Sequence, residues 1–307
     1  MSILVLSQDA LDYTEFLNKE ADIYFATDAK QLNADQFSFD ILLAQPDLAA
    51  QYLQLGGTAS WIQSTWAGIE PLTKEEKAKS LLVTGVKEIF GPLIAQYVFA
   101  YLLDDVRDLG RALRAQTDKQ WQPYTPETLQ DRHLVILGTG SIGVEVAAVA
   151  KSFRMRVTGV SRSGQVKPGF DTVLPIDRLY HATSDADYFL IVLPGTDDTA
   201  GLINADVLAT LPSTAMLLNV GRGVTLNEDA LVTALQSKLL RKAVLDVFQT
   251  EPLPAESSLW DTPNTYITPH ISAVSYPHEV AKIFLHNLDL YRAGESLDYL
   301  VDLDRGY

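Results

Sequence analysis

Three charged residues in the second half of the chain could act together on a small organic acid. Arg222 lies in Asn219-Val220-Gly221-Arg222-Gly223, Glu251 in the stretch from Asp246 to Pro254, and His270 in Thr268-Pro269-His270-Ile271-Ser272. A guanidinium can hold a carboxylate or polarise a carbonyl through paired hydrogen bonds. An imidazole can give or take a hydroxyl proton near neutral pH. A carboxylate beside it can orient the ring and favour its charged form. Together these types suit hydride transfer to a 2-oxo acid. Each alone has a plainer reading: Arg222 can brace a loop, Glu251 can end a strand, and His270 can be a structural hydrogen-bonding residue. Their joint placement favours chemistry, because each follows a predicted strand, and ligands of open α/β sheets bind beyond the carboxyl ends of the strands.

A hydride needs a carrier, and the chain has a site for one. The apolar run His133–Leu137 leads into Gly138-Thr139-Gly140-Ser141-Ile142-Gly143 and then into a helix-forming segment, Val144 to Ser152. A strand before and a helix after are the context in which G-x-G-x-x-G marks dinucleotide binding. Gly138 permits the tight turn, Gly140 leaves room for the pyrophosphate, and Gly143 lets helix and strand pack closely. The first amides of the helix, around Ser141 and Ile142, then face the phosphates. NAD-binding folds usually carry an acid at the end of the next strand, for the ribose hydroxyls. Here that strand, Arg156–Val160, ends in Ser161-Arg162-Ser163-Gly164, and no Asp or Glu occurs between Val146 and Phe170. Arg and Ser suit a 2′-phosphate that a carboxylate would repel, so NADP(H) is favoured over NAD(H).

The elements that must carry these residues alternate. In the first third, strands are expected at Ile3–Leu6, Ile23–Phe25, Ile41–Ala44, Trp61–Ser64 and Leu81–Thr84, with helices between, notably Asp9–Lys19. Phe90 to Ala115 reads as one long helix, apolar on nearly all sides in its first half. Beyond the polar stretch Gln120–Asp131 a second series follows: Leu134–Leu137, Arg156–Val160, Tyr188–Val192, Ala215–Asn219, Ala243–Asp246 and Thr265–Ile267. A last helix runs from about Pro277 to Tyr291. This rhythm predicts an α/β protein of two doubly wound parallel sheets, one flavodoxin-like and one a Rossmann dinucleotide-binding domain. The expected division is 1–98 with 277–307 for the substrate domain and 99–276 for the dinucleotide domain.

Composition narrows the partners. A chain of 307 residues that is 47% hydrophobic can build two cores. It has no cysteine, which excludes thiol nucleophiles, disulfides and cysteine-ligated metals. A formal net charge of -15 disfavours nucleic acid and anionic membranes. The N-terminus reads as a first strand rather than a leader, and Ile89–Leu103 is short for a membrane span and contains Gly91, Pro92 and Gln96. A cytoplasmic location is expected. No metal site is expected, since His278 and His286 lack the i, i+4 spacing of a ligand pair. His133 and His181 fall near turns and read as solvated, and Asp104, Asp105 and Asp108 read as exposed helix residues.

With these motifs in place, the chain resembles the D-isomer-specific 2-hydroxyacid dehydrogenases over nearly its whole length. The matching segments are Gly138–Gly143, Leu193-Pro194 with Thr199, Asn219–Gly223, Asp246–Pro254 and Thr268–Ser272. The resemblance implies that Arg222 binds substrate, His270 is the acid/base, Glu251 is its partner and Asp246 contacts the nicotinamide carboxamide. Leu193, Pro194, Thr199, Asn219, Val220, Gly221 and Ser272 would join the glycine turn and Ser161, Arg162 and Ser163 around the cofactor. Thr65-Trp66-Ala67-Gly68-Ile69 looks like the family's substrate loop, so backbone amides of Trp66, Ala67, Gly68 and Ile69 would hold the carboxylate. The resemblance further implies a substrate domain split between the chain ends, a cofactor in the cleft that closes on substrate, and a homodimer formed through the long helix. Within the family, the Ser-Arg-Ser segment resembles NADPH-preferring glyoxylate/hydroxypyruvate reductases. Gln96 stands where the family more often has an acid, Leu226-Asn227 where Val-Asp is usual, and Trp66 is bulkier than common choices. Two rivals stay open: another substrate such as 3-phosphoglycerate, lactate or a branched hydroxy acid, or a dinucleotide-sensing protein without turnover.

Overall fold

The computed structural model describes residues 1–20, 22–33 and 37–303; the C-terminal residues 304–307 of the expected substrate domain lie outside them. The chain forms two units, Met1–Ile89 with Ser275–Tyr307, and Phe90–Val274. The division falls at Ile89/Phe90 rather than at 98/99. The reason is local: the helix Phe90–Arg107 is continuous and packs along the helix Ser141–Ser152, where Gly91 sits so close to Glu145 that a Cβ would lie 3.0 Å from its side chain.

The first unit holds β1 (Ile3–Leu6), β2 (Ile23–Ala26), β3 (Ile41–Ala44), β4 (Trp61–Ser64) and β5 (Leu82–Thr84), all parallel, in the order β2-β1-β3-β4-β5. This is the flavodoxin-like order. Its central strands are unbroken apolar runs because both faces are covered: every residue of β1 and β3 is fully buried. The expected helix at Asp9–Lys19 is instead a 3-10 turn, Ala10–Tyr13, followed by one α-turn, Thr14–Leu17. Trp61 of β4 is fully buried between the rings of Phe284 and Tyr291, with centroids 5.5 and 5.4 Å away. Each such pair contributes about 0.5–1.5 kcal/mol beyond its buried area, which holds the last helix, Pro277–Ala293, on this sheet. Below it, buried Gln63 accepts from Thr84 Oγ1 (2.8 Å) and Asn287 Nδ2 (3.1 Å) and donates to Ser64 O (3.0 Å) and Gly85 O (2.9 Å). A satisfied buried amide of this kind fixes one geometry, here at the exit of β4.

The second unit holds β6 (His133–Leu137), β7 (Arg156–Ser161), β8 (Thr172–Pro175), β9 (Tyr188–Ile191), β10 (Met216–Asn219), β11 (Lys242–Leu245) and β12 (Thr265–Ile267). All are parallel, ordered β12-β11-β10-β9-β6-β7-β8. This is the Rossmann order extended by one strand. Its core joins Leu137, Phe189, Leu217 and Leu245 of the strands to Val207, Leu231 and Leu235 of the helices. The sheet has one strand more than the sequence predicts. Thr172–Pro175 is a short edge strand ending in Pro, a residue that sheets confine to edges; it gives no alternating or continuous apolar signal of its own.

Two further expectations change in this unit. The long helix breaks at Asp108, whose φ of 47° is left-handed and whose carboxylate accepts from Arg111 N to start a new helix, Leu109–Thr117. His133 is buried rather than solvated, because it opens the central strand β6 and its Nε2 lies 2.8 Å from Thr158 Oγ1. Burial pushes its pKa below the ordinary histidine value. Among the described residues no helix is long and apolar enough to cross a membrane.

Candidate active site

The dinucleotide turn starts where β6 ends. Gly138 has φ 112°, and a Cβ there would lie 2.9 Å from Val192 O. At Gly143 a Cβ would lie 2.1 Å from Gly138 O. Packing therefore dictates glycine at both positions. At Gly140 a Cβ would meet nothing within 4 Å, so the protein itself does not need glycine there. Open space beside a residue without a side chain fits a phosphate that must approach the backbone. The helix Ser141–Ser152 begins at Gly140 with no side-chain cap and no acid in its first turn. Its first amides lack intrahelical partners and carry the positive end of the helix dipole. These residues fit a bound dinucleotide. At the end of β7, Ser161 Oγ accepts from Gly164 N (3.2 Å), closing a turn that leaves Arg162 and Ser163 exposed.

The three charged residues also sit at strand ends. Arg222 follows β10, is half-buried and extended (φ -141°), and donates from Nη1 to Gly221 O at 2.9 Å. Its glycine neighbours are structural requirements. A Cβ at Gly221 would lie 2.6 Å from Leu193 O, and one at Gly223 would lie 1.9 Å from the Phe248 carbonyl carbon. The Arg222 loop is thus pressed against the loop that follows β11. In that loop Glu251 Oε1 accepts from Phe248 N (2.9 Å), and Glu251 Oε2 meets His270 Nδ1 at 2.7 Å. A carboxylate can only accept, so Nδ1 carries the ring hydrogen. Nε2 is then the ring nitrogen left available for proton exchange. Both side chains keep solvent access, 45% for His270 and 36% for Glu251.

His270 stands in the left-handed region, φ 54°. Its amide donates to Asp246 O (2.9 Å), while the fully buried Asp246 carboxylate accepts from Ile271 N (2.9 Å), Ser272 N (2.8 Å) and Thr268 Oγ1 (2.6 Å). The histidine turn is wrapped around that carboxylate. In the first unit, the loop after β4 is set by Ser64, whose Oγ donates to Trp66 O (2.8 Å) and accepts from Trp66 N (3.1 Å). This corrects one expectation. The Trp66 amide is spent on Ser64, which leaves Ala67, Gly68 and Ile69 as the amides without a protein acceptor among the described residues.

A family model described as "D-isomer specific 2-hydroxyacid dehydrogenase, NAD binding domain" matches residues 99–272. The chain belongs to this family. It is an NAD(P)-dependent oxidoreductase. A D-isomer specific 2-hydroxyacid dehydrogenase family protein from Aeromonas salmonicida is 41% identical, with TM-score 0.92 and 99% of each chain covered. A D-isomer specific 2-hydroxyacid dehydrogenase from Xanthobacter autotrophicus, in complex with NADPH and MES, is 27% identical with TM-score 0.88, covering 100% of this chain and 99% of that one. An NADPH-dependent glyoxylate/hydroxypyruvate reductase from Sinorhizobium meliloti, in complex with NADP and malonate, is 25% identical with TM-score 0.82, covering 99% and 98%.

In this dehydrogenase several of the residues expected at the cofactor serve their own loops. Asn219 is fully buried, donating to Arg222 O (3.2 Å) and accepting from Gly221 N (3.2 Å). Thr199 Oγ1 donates to Pro194 O (2.7 Å) and accepts from Thr196 N (2.9 Å), closing the Leu193–Thr196 turn. Their side chains shape backbone that other groups can use. Sequence reasoning missed Thr268 as a partner of Asp246, and also missed Tyr97, whose hydroxyl lies 2.6 Å from Thr268 Oγ1. Tyr97 is remote in sequence and carries no local signal. Thr268 lies in a motif whose sequence reading singles out His270 and Ser272 only.

Proposed function

We propose that this dehydrogenase reduces small 2-oxo acids of the glyoxylate and hydroxypyruvate type to D-2-hydroxy acids, with NADPH as the preferred donor. The observation that carries the reading is the His270–Glu251 pair, joined through the Phe248 amide to the loop against which Arg222 is packed. The cofactor is held by the amides after Gly140 and by Ser161, Arg162 and Ser163. When bound, reduced nicotinamide supplies the hydride. Arg222 pairs with the substrate's carboxylate or carbonyl oxygen, drawing electron density from the reacting carbon. His270 gives the Nε2 proton to the developing alkoxide and ends neutral, its remaining hydrogen on Nδ1 facing Glu251. Glu251 stabilises the imidazolium before transfer and fixes the ring through Oε2, while Phe248 N holds Oε1. The amides of Ala67, Gly68 and Ile69, without an acceptor among the described residues, suit a carboxylate. Exposed Leu109 and Leu113, one turn apart on the helix Leu109–Thr117, suit burial in a homodimer.

The test follows the absorbance of the reduced nicotinamide with glyoxylate, hydroxypyruvate, pyruvate, phenylpyruvate and 3-phosphohydroxypyruvate, using NADPH or NADH. Fastest turnover with the first two and NADPH is expected. Tight cofactor binding without turnover on any of them overturns the reading. The cofactor preference has its own check. Arg162→Ala removes charge-assisted hydrogen bonds to a 2′-phosphate, each about 1.5–3 kcal/mol. KM for NADPH should rise by about tenfold to a hundredfold while KM for NADH stays within about twofold. Equal changes for both cofactors would remove Arg162 from the phosphate site.

A further inference from the structure

A chain of hydroxyls links the helix Phe90–Arg107 to the turn that carries His270. Tyr97 OH lies 2.6 Å from Thr268 Oγ1, and Thr268 Oγ1 lies 2.6 Å from Asp246 Oδ1. The chain has a direction. The carboxylate only accepts, so the single hydrogen of Thr268 goes to Asp246, and Tyr97 must donate to Thr268. Burial pushes the Tyr97 phenol above its ordinary value, which keeps it a donor at any physiological pH. Its ring is braced by Tyr101, 5.1 Å away between centroids, and Tyr101 meets Tyr266 edge-on at 6.1 Å.

The end of the chain is the carboxylate around which the histidine turn is built. His270 holds a left-handed backbone, φ 54°, a conformation unfavourable for a side chain with a Cβ. Its own amide is bonded to Asp246 O, and the two amides that follow are bonded to the two Asp246 carboxylate oxygens. Rotation of that carboxylate would release Ile271 N and Ser272 N together and free the turn to relax. Thr268 is the side-chain donor that opposes the rotation, and Tyr97 orients Thr268. A strained residue persists only where its surroundings over-determine it, and here the surroundings are these donors.

We propose that Tyr97 and Thr268 are positioning residues for hydride transfer, acting through Asp246 to hold His270 Nε2 in its productive direction. The proposal rests on the role given to His270 above. Neither residue touches substrate. A misplacement of about 1 Å in a reacting group can cost on the order of a hundredfold in rate, so partial loosening of the turn should be visible in kcat.

The experiment is a double-mutant cycle with Tyr97→Phe, Thr268→Val and the pair, with Thr268→Ser as the conservative control. Each is read as kcat and KM for the best 2-oxo acid, cofactor Kd by fluorescence, and melting temperature. Thr268→Val should lower kcat about tenfold or more, and Tyr97→Phe about threefold, with cofactor Kd within about twofold. The pair should be no worse than Thr268→Val alone, because the tyrosine acts only through the threonine. Thr268→Ser should recover kcat to within about twofold of the unmodified protein. Additive losses would overturn the proposed chain. So would a fall in melting temperature with kcat unchanged, or a serine variant as slow as the valine. Turnover by the unmodified protein is the control that separates the two ideas. Its absence strikes the reductase reading, whereas its presence with a normal Tyr97→Phe and Thr268→Val strikes only the positioning role.

Discussion

Replacing His270 by alanine is expected to lower kcat for 2-oxo acid reduction by about 10²–10⁴, the range assigned to a positioned general acid. The expectation comes from geometry. His270 Nδ1 is committed to Glu251 at 2.7 Å, so only Nε2 can deliver the proton that completes the alcohol. Cofactor Kd should stay within about twofold, because the glycine turn proposed for the phosphates is a separate segment at the end of β6. The pH–rate profile should flatten, since the group that must be protonated is gone. Glu251→Gln separates orientation from charge. One glutamine oxygen cannot accept from both His270 Nδ1 and Phe248 N as the two carboxylate oxygens do. A loss of about tenfold to a hundredfold is expected, smaller than for His270→Ala. Near-normal turnover by His270→Ala would remove the histidine from the chemistry and leave the dinucleotide turn standing.

What the sequence made legible was local or repeated. The strands β1, β3 and β9 are continuous apolar runs because parallel sheets are covered on both faces, and the structure buries them as such. Gly138 and Gly143 could be read because each is required by one close backbone approach. That Arg222, Glu251 and His270 follow strand ends could be read because topology delivers strand ends to one edge of the sheet. What remained hidden depends on partners far along the chain. The Tyr97–Thr268 bond spans 171 residues, and no window of sequence contains both ends. The spacing of Asp108 does not announce a left-handed residue, and helical periodicity runs straight through the break it makes. The Trp66 amide looked available until Ser64, two residues earlier, was seen to bond it. Asp105 sits on a helix face that looks solvated by composition, yet its side chain is 7% exposed.

That misread aspartate carries the largest expected effect on stability. Asp105 accepts from Arg241 Nη1 (2.7 Å) and Nη2 (2.9 Å), from Lys242 Nζ (2.8 Å) and from Tyr188 OH (3.1 Å). Burial alone would raise its pKa, but the hydrogen bonds and charges of Arg241 and Lys242 outweigh it and hold the carboxyl at about 2, below its ordinary value of 3.8. A group with a depressed folded pKa stabilises the fold above its unfolded value and loses that contribution as pH falls through the folded one. The stabilisation is about 2 kcal/mol, present above a pH of about 4 and lost on the way down to about 2. Asp105→Asn should therefore lower unfolding free energy at neutral pH by about 2–3 kcal/mol. This lies below the range for removing one partner of a fully buried pair, because the Arg241 side chain keeps 39% of its exposure. Urea unfolding across a pH series measures it. The gap between variant and unmodified protein should be widest at neutral pH and narrow steadily below a pH of about 4. A gap that stays constant would mean that shape and packing, not charge, make Asp105 matter. The same residue ties the helix Phe90–Arg107 to the start of β11, and Tyr97 rides on that helix three turns from its C-terminal end. If Asp105→Asn unfolds more easily yet keeps its kcat at neutral pH, the anchor and the positioning chain are independent, and Tyr97 is held by its own contacts with Tyr101 and Thr268.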